Sequence, residues 1–237
     1  MAEAGPGSGL HIVMLAYPGM TQLDLTAPFE VLARLPGARV ELAWKSRRKP
    51  VVDASGLKIL PDAAFGEIAA CDVLMVPGGP GQLDLMEDGD TLHFIDRMAE
   101  DARYVTSVCT GSLLLGSAGL LKGYRATCHW LSLDQLALLG AIPVAERVVR
   151  DRNRITGAGV TSGLDFALAM AAALAGAEEA RRIALAIEYD PAPPFPLGRA
   201  AAPEAVDAIT ARTAAFQARR VEAARKAGAR LGIAPAP

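Results

Sequence analysis

Tyr-Val-Thr-Ser-Val-Cys-Thr-Gly-Ser, at residues 104–112, is the stretch of the chain that decides the fold. The run from Arg103 to Val108 predicts a strand, and Thr110 to Leu115 opens a helix, so Cys109 falls at the turn between them. The small residues that follow the cysteine permit a sharp turn. A strand that feeds directly into a helix is typical of α/β proteins, and the turn exposes one side chain at the rim of the sheet.

Outward from this turn, apolar runs alternate with longer segments of helical period, which predicts a parallel sheet wrapped by helices and therefore an α/β fold. The predicted strands are His11–Tyr17, Ala38–Trp44, Leu57–Leu60, Cys71–Val76 and the hairpin Arg147–Thr156. The predicted helices run through Phe29–Leu35, Asp90–Glu100, the segment from Thr161, Ala177–Ile187 and Pro203–Arg230. Open α/β sheets bind ligands at the carboxyl ends of their strands, so the loops after Tyr17, Val76 and Val108 are the candidate site.

Length and charge restrict the function. The 237 residues, 51% of them hydrophobic, are enough to form one large hydrophobic core. The net charge of −2 gives no excess of positive charge with which to bind nucleic acid or an anionic membrane surface. The longest apolar stretch, 167–177, is too short to span a bilayer. We predict a disordered leader at 1–9, an α/β domain at 10–196 and a helical extension at 197–237, and we expect no nucleic-acid or membrane partner.

Three cysteines without the spacing of zinc or redox motifs indicate free thiols in a reducing compartment, which favours a cytoplasmic protein. For Cys71 and Cys128 we expect buried structural thiols. Cys109 can be read in the same way, but its place at a helix N-terminus predicts a lowered pKa and a reactive thiolate, and the turn resembles the nucleophile elbow of hydrolases. It is therefore the candidate nucleophile.

Two other side chains near the predicted rim are candidates for the chemistry. Asp24, just past the first strand, is either a helix N-cap or a carboxyl beside the thiolate, whose like charge would raise the carboxyl pKa and keep it protonated. His129 is the histidine nearest to a rim position and is a candidate for substrate contact. His11 and His93 are expected to be structural.

The loop Pro77-Gly-Gly-Pro-Gly81 follows a predicted buried strand directly. Its glycines let backbone amides approach a ligand closely, but it lacks the Lys-Ser/Thr ending of a phosphate-binding loop, which argues against nucleotide binding. We expect the amides of Gly78 and Gly79 to contact substrate or to stabilise an anion near Cys109.

Four segments together resemble the PfpI-like branch of the class I glutamine-amidotransferase-like superfamily: Pro77–Gly81, Ser107–Ser112, Ala126–Trp130 and Gly159–Asp165. The resemblance covers about residues 10–190. Tyr17–Glu30 and the Pro-rich arm at 189–195 make it most similar to members of that branch that hydrate isonitriles to N-substituted formamides.

The resemblance implies a flavodoxin-like three-layer sandwich with a mostly parallel sheet and a homodimeric assembly. It places Cys109, Asp24 and Thr110 in the active site and implies no metal and no organic cofactor. It also implies a small-molecule isonitrile as substrate. From the residues we hypothesise that Cys109 attacks the isonitrile carbon to form a covalent thioimidate, while Asp24 acts as general acid and base.

Related branches supply the alternatives. Protease-like members carry a histidine where this chain has Thr110, and the deglycase or chaperone branch uses a glutamate where this chain offers Asp24. Ligand-sensing domains of AraC-type regulators share the Ala-Thr-x-His-Trp pattern but carry a helix-turn-helix domain, which we do not expect here. A ligand sensor or chaperone-like binding protein, and an amidase or deglycase that uses the same cysteine, remain open.

Overall fold

Eleven strands are found in the computed structural model, which describes residues 9–196, 198 and 202–233. In chain order they are β1 (His11–Leu15), β2 (Arg39–Trp44), β3 (Val51–Val52), β4 (Lys58–Ile59), β5 (Ala63–Ala64), β6 (Val73–Val76), β7 (Tyr104–Val108), β8 (Arg125–Ala126), β9 (Ile142–Pro143), β10 (Val148–Asp151) and β11 (Arg154–Gly157). Seven of them form the central sheet, in the order β10-β11-β7-β6-β1-β2-β5.

The central sheet is parallel except at β10, which runs antiparallel to β11. Its middle strands β6 and β7 are buried along their whole length, as an apolar strand covered on both faces must be. The sequence β2-β1-β6-β7-β11 is the flavodoxin-like strand order, which confirms the predicted class. Ligands bind such sheets where the strand order reverses, and here that point lies between β1 and β6.

The helices cover the two faces of the sheet and complete a three-layer sandwich. They are α1 (Gln22–Leu32), α2 (Gln82–Leu85), α3 (Gly89–Glu100), α4 (Gly111–Ser117), α5 (Ser162–Ala175), α6 (Ala177–Ala186) and α7 (Pro203–Arg230), with short 3-10 segments at Phe65–Glu67 and Trp130–Leu139. Helices α1, α5 and α6 pack together in one layer, and α3, α4 and α7 belong to the other. No helix within the described ranges is both long and apolar enough to cross a membrane.

Two sequence-based boundaries are wrong. The predicted strand Leu57–Leu60 lies outside the central sheet, because β4 pairs with β3 in a separate hairpin that leaves Leu57 49% and Leu60 58% exposed. The sheet edge is formed instead by β5, which is only two residues long. The helix predicted through Phe29–Leu35 ends earlier than expected, because α1 runs from Gln22 to Leu32 and contains Pro28.

The described part of the predicted C-terminal extension packs against the rest of the fold. Helix α7 buries Ala223, Ala224 and Ala227 in the common hydrophobic core and packs on the 3-10 segment Trp130–Leu139. The approach is so close that a Cβ at Gly228 would lie 2.2 Å from the Leu138 carbonyl oxygen. The arm at 189–196 is exposed and irregular, and nearly all of the predicted leader lies outside the described residues.

Candidate active site

Three loops meet at the carboxyl ends of β1, β6 and β7. The amide of Thr21 donates to the Gly78 carbonyl oxygen at 2.9 Å, which joins the first loop to the second. The buried hydroxyl of Tyr17 donates to the Pro77 carbonyl oxygen at 3.0 Å and holds the second loop from below. The predicted convergence of these loops is confirmed, and they surround Cys109.

Cys109 occupies a strained turn between β7 and α4. Its φ of +59° lies in the left-handed region, which costs a non-glycine residue roughly 1–2 kcal/mol. The Cys109 amide donates to the carbonyl oxygens of Gly157 and Ala158, at 3.0 and 2.7 Å, which ties the turn to the end of β11. Gly111 permits the turn, since a Cβ there would lie 2.1 Å from the Val76 carbonyl oxygen. The predicted strand-to-helix elbow is confirmed.

Asp24 lies in the first turn of α1 with none of its surface exposed. It is not the N-cap, because that position belongs to Thr21. Its Oδ2 accepts a hydrogen bond of 3.0 Å from the Gly78 amide, whereas Oδ1 is buried without a well-aligned donor in the part of the chain that the structure describes. The second oxygen is therefore free to hold a proton or to accept one from a reactant.

Burial raises the pKa of Asp24 from 3.8 to about 7, although interactions with the Cys109 side chain and the Gly78 amide act in the opposite direction. The direction agrees with the sequence-based expectation, but the cause does not. Loss of water around the carboxylate, and not repulsion by a thiolate, is the main contribution. Asp24 consequently exchanges its proton near neutral pH, where a general acid and base is most effective.

The pKa of Cys109 is raised well above that of a free thiol, first by burial and then by the neighbouring Asp24. The prediction that a helix N-terminus would lower it is therefore wrong for the resting site. The Thr110 amide does act in that direction, but α4 has only seven residues and Cys109 is only 5% exposed. The resting Cys109 side chain is therefore a neutral thiol, and a base must remove its proton before the sulfur can act as a nucleophile.

The amides of Gly78 and Gly79 are both engaged by protein acceptors. Gly79 donates to the Thr110 hydroxyl oxygen at 3.0 Å, while Gly78 holds Asp24 as described above. These contacts orient Thr110 and Asp24, and the contact of the two amides with substrate or with an anion stays a prediction. A Cβ at Gly78 would lie 2.5 Å from the Thr110 amide nitrogen, so only glycine fits.

A cavity of about 210 Å³ opens on the elbow and is lined by Cys109, Thr110, Gly79 and His129. Burial lowers the pKa of His129, and Arg220 lowers it further, so the imidazole is neutral at pH 7. Its Nδ1 accepts a hydrogen bond from the Leu131 amide at 3.3 Å, which assigns the ring proton to Nε2. His129 is therefore a hydrogen-bond donor, and its contact with substrate stays a prediction.

The other two cysteines are free thiols, and Cys128 lies close enough to Cys109 to contribute to the raised pKa of Cys109. Cys71 and Cys128 are buried, and burial raises the pKa of each thiol to about 12. Both are structural, as expected from the sequence. Among the described residues, no group of three His, Cys, Asp or Glu side chains is arranged to hold a metal ion.

Sequence reasoning missed the contribution of α7. Phe216, Gln217 and Arg220 project from this helix into the cavity beside Cys109. Their only signal in the sequence is that larger residues interrupt an alanine-rich helix, and this pattern does not say what the helix covers.

A sequence profile of the DJ-1/PfpI family matches residues 11–173, which contain the elbow, Asp24 and the glycine loop. The chain belongs to the DJ-1/PfpI family. Among family relatives, an isonitrile hydratase of Pseudomonas putida is 50% identical over 226 residues, covering 94% of this chain and 99% of that protein. The resemblance inferred from the sequence motifs is confirmed.

Two further relatives extend the comparison. The crystal structure of a THiJ/PfpI family protein from Pseudomonas syringae superimposes with a TM-score of 0.88 at 46% identity, covering 94% of this chain and 97% of that one. The transcriptional regulator GbdR of Pseudomonas aeruginosa, of HTH type, is 36% identical over 138 residues, covering 56% of this chain and 36% of the regulator. The similarity to the first two relatives thus includes α7, since it extends over nearly the whole chain.

Proposed function

We propose that the protein is an isonitrile hydratase, which converts an isonitrile and water to an N-substituted formamide. The observation that carries the proposal is a buried Cys109 thiol beside a carboxyl, Asp24, whose pKa is about 7. An isonitrile carbon must gain both a nucleophile and a proton, and this pair supplies both. The 50% identity to an isonitrile hydratase over nearly the whole chain supports the same reaction.

In the first step Asp24, in its ionised form, removes the proton of the Cys109 thiol. The thiolate attacks the terminal carbon of the isonitrile and forms a C–S bond. The electron pair on that carbon then takes the proton from Asp24, and the product is a neutral thioimidate, Cys–S–CH=N–R. The raised pKa of Asp24 suits both transfers, because proton donation and removal are nearly balanced near pH 7.

In the second step water adds to the thioimidate carbon. Asp24 accepts a proton from this water and passes it to the imine nitrogen, which gives a neutral tetrahedral adduct, Cys–S–CH(OH)–NH–R, and leaves Asp24 ionised again. Collapse of the adduct forms the C=O bond, breaks the C–S bond and returns a proton to the sulfur. Thr110, held by the Gly79 amide at 3.0 Å, stands next to the nucleophile and is proposed to orient the attacking water.

The cavity suits a compact reactant. Its volume of about 210 Å³ lies below the range of about 300–1,000 Å³ common for drug-sized ligands, so it admits a short or cyclic substituent. We further propose that the protein works as a cytoplasmic homodimer, as the family resemblance implies, and that the chemistry needs no cofactor.

The test is incubation of purified protein with cyclohexyl isocyanide, with the formamide followed by chromatography. We expect turnover by the wild type, none by Cys109→Ala, and a covalent adduct of the substrate mass on Cys109 by intact mass spectrometry. Hydration that persists in Cys109→Ala would exclude the mechanism. Absence of hydration by the wild type would favour a ligand sensor. Amide hydrolysis or deglycation in the absence of hydration would favour an amidase or deglycase that uses Cys109.

A further inference from the structure

Arg220 is a buried cation in the wall of the cavity that opens on Cys109. Only 5% of its surface is exposed, yet no carboxylate of the described residues forms an ion pair with it. A buried charge without a counter-charge is costly to the folded protein. An arginine in such a position therefore calls for an explanation beyond packing.

The neighbours of Arg220 orient its side chain but do not neutralise it. Its Nη1 donates to the Ser132 hydroxyl oxygen at 3.1 Å, and the guanidinium carbon lies 4.6 Å from the centre of the Phe216 ring. The Nε atom is buried without any acceptor in the part of the chain that the structure describes. At least one donor of the guanidinium is thus left unused.

Gln217 adds a second donor on the same helix. Its Oε1 accepts hydrogen bonds from the Ser132 hydroxyl at 3.0 Å and from the Gln135 side-chain nitrogen at 2.9 Å. In this orientation both contacts use the oxygen, so the Nε2 group of Gln217 remains a donor. Ser132 thus links the two side chains, since it accepts from Arg220 and donates to Gln217.

Three side chains that can donate hydrogen bonds therefore line the cavity. Arg220, Gln217 and the Nε2–H of His129 all line it, while Cys109 contributes a neutral thiol. Arg220 is the one permanently charged residue among the lining side chains of the described structure. Such a set complements an oxyanion, and hydrogen bonds between a guanidinium and a carboxylate are among the strongest that proteins form.

We propose that Arg220 and Gln217 form a recognition site for a carboxylate on the substituent of the isonitrile substrate. This inference rests on the proposed function, because it places the isonitrile carbon at Cys109 and the anionic end of the same molecule against α7. The small cavity then selects a compact substituent that carries one negative charge. A neutral isonitrile such as cyclohexyl isocyanide is a substrate without this contact.

A different role for Arg220 gives a different pattern of kinetics. If the guanidinium acted on the reaction itself, for example on the Cys109 thiolate, its loss would lower the turnover of every isonitrile by the same factor. If it recognises a carboxylate, its loss lowers only the preference for the charged substrate. The ratio of the two kcat/KM values therefore separates the roles.

The experiment compares an isocyanocyclohexane that carries a carboxylate across the ring with its uncharged methyl ester. For the wild type we expect kcat/KM to be at least about 10-fold higher for the acid than for the ester, since a charge-assisted hydrogen bond contributes roughly 1.5–3 kcal/mol. Arg220→Met should reduce the acid-to-ester ratio by ~10- to 100-fold. Arg220→Lys should retain part of the wild-type acid-to-ester ratio. Arg219→Met, on the exposed side of α7, should have the same ratio as the wild type.

A binding measurement keeps the inference independent of turnover. Calorimetry should detect cyclohexanecarboxylate binding to the wild type and to Arg219→Met but not to Arg220→Met, whose folding is checked by circular dichroism. The inference is overturned if Arg220→Met lowers acid and ester hydration equally, if the wild type does not prefer the acid, or if cyclohexanecarboxylate fails to bind. If cyclohexanecarboxylate binds but no isonitrile is hydrated, the proposed function is refuted, whereas carboxylate binding at Arg220 is still supported.

Discussion

Replacement of Asp24 by asparagine should reduce the loss of unfolding free energy that the wild type shows as the pH rises from acidic to neutral. In the wild type, burial raises the pKa of this carboxyl from 3.8 to about 7. The folded state therefore holds a proton that the unfolded chain has already released, and the free energy of unfolding falls as the pH rises from about 4 to about 7. Each tenfold change in the protonation equilibrium corresponds to ~1.4 kcal/mol, so the loss approaches ~4 kcal/mol.

The asparagine side chain of the Asp24→Asn variant cannot ionise, and its carbonyl oxygen can still accept the hydrogen bond from Gly78 that Oδ2 accepts at 3.0 Å in the wild type. Its side-chain nitrogen would stand where Oδ1 is buried without a well-aligned donor, and any cost of this change is the same at every pH. The informative quantity is thus the difference between the two proteins at about pH 4 and at about pH 8, and not the absolute stability at either.

Urea unfolding followed by circular dichroism at several pH values measures this difference. We expect Asp24→Asn to gain ~3–4 kcal/mol relative to wild type between about pH 4 and about pH 8. Asp207→Asn, on the exposed surface of α7, is the matched control and should follow the wild-type profile. A gain for Asp24→Asn below ~1 kcal/mol would refute the raised pKa, and with it the general acid and base of the proposed mechanism.

Three other predictions concern the elbow, the glycine loop and a helix cap. Iodoacetamide should label Cys109 only slowly near neutral pH, because burial and Asp24 raise the pKa of its thiol. Labelling is followed by intact mass spectrometry, and stoichiometric labelling of Cys109 within minutes would contradict this prediction. Gly78→Ala should lower kcat/KM by at least ~10-fold, since its Cβ would lie 2.5 Å from the Thr110 amide nitrogen, while Gly89→Ala, whose Cβ meets nothing within 4 Å, should retain activity. Asp88→Ala should cost ~1–2 kcal/mol of unfolding free energy, because Asp88 accepts from the Thr91 amide at 2.8 Å at the start of α3. Burial alone would raise the pKa of Asp88, but Lys45 and the Thr91 amide lower it, so this stabilisation is present at neutral pH and is lost as the pH falls through the lowered pKa.

The elbow was predictable because its causes are local. Val108 ends a strand that is buried throughout, and Gly111 allows the tight approach to the Val76 carbonyl oxygen that the turn needs. Apolar periodicity likewise predicted the parallel sheet, since each strand must be covered on both faces. The short edge strand β5 escaped prediction because two alanines carry no pattern of their own.

The electrostatics of the site were not predictable from local pattern. A cysteine at a helix N-terminus suggests a lowered pKa, but the actual direction depends on how deeply the surrounding loops bury the thiol and how close Asp24 lies. The same burial, and not the adjacent sulfur, raises the pKa of Asp24. Desolvation is a property of all the atoms packed around a group, and residues distant in the chain supply most of them.

By itself the sequence determined the α/β class, the position of Cys109 at a turn and the candidates that could act beside it. Those features follow from hydrophobic period and from the small residues that a turn requires. Only the tertiary structure decided that burial brings the pKa of Asp24 to about 7, that the amides of Gly78 and Gly79 are already engaged, and that Arg220 enters the cavity from α7. These features depend on burial and on contacts between segments up to about two hundred residues apart, for which no short stretch of chain carries a signal.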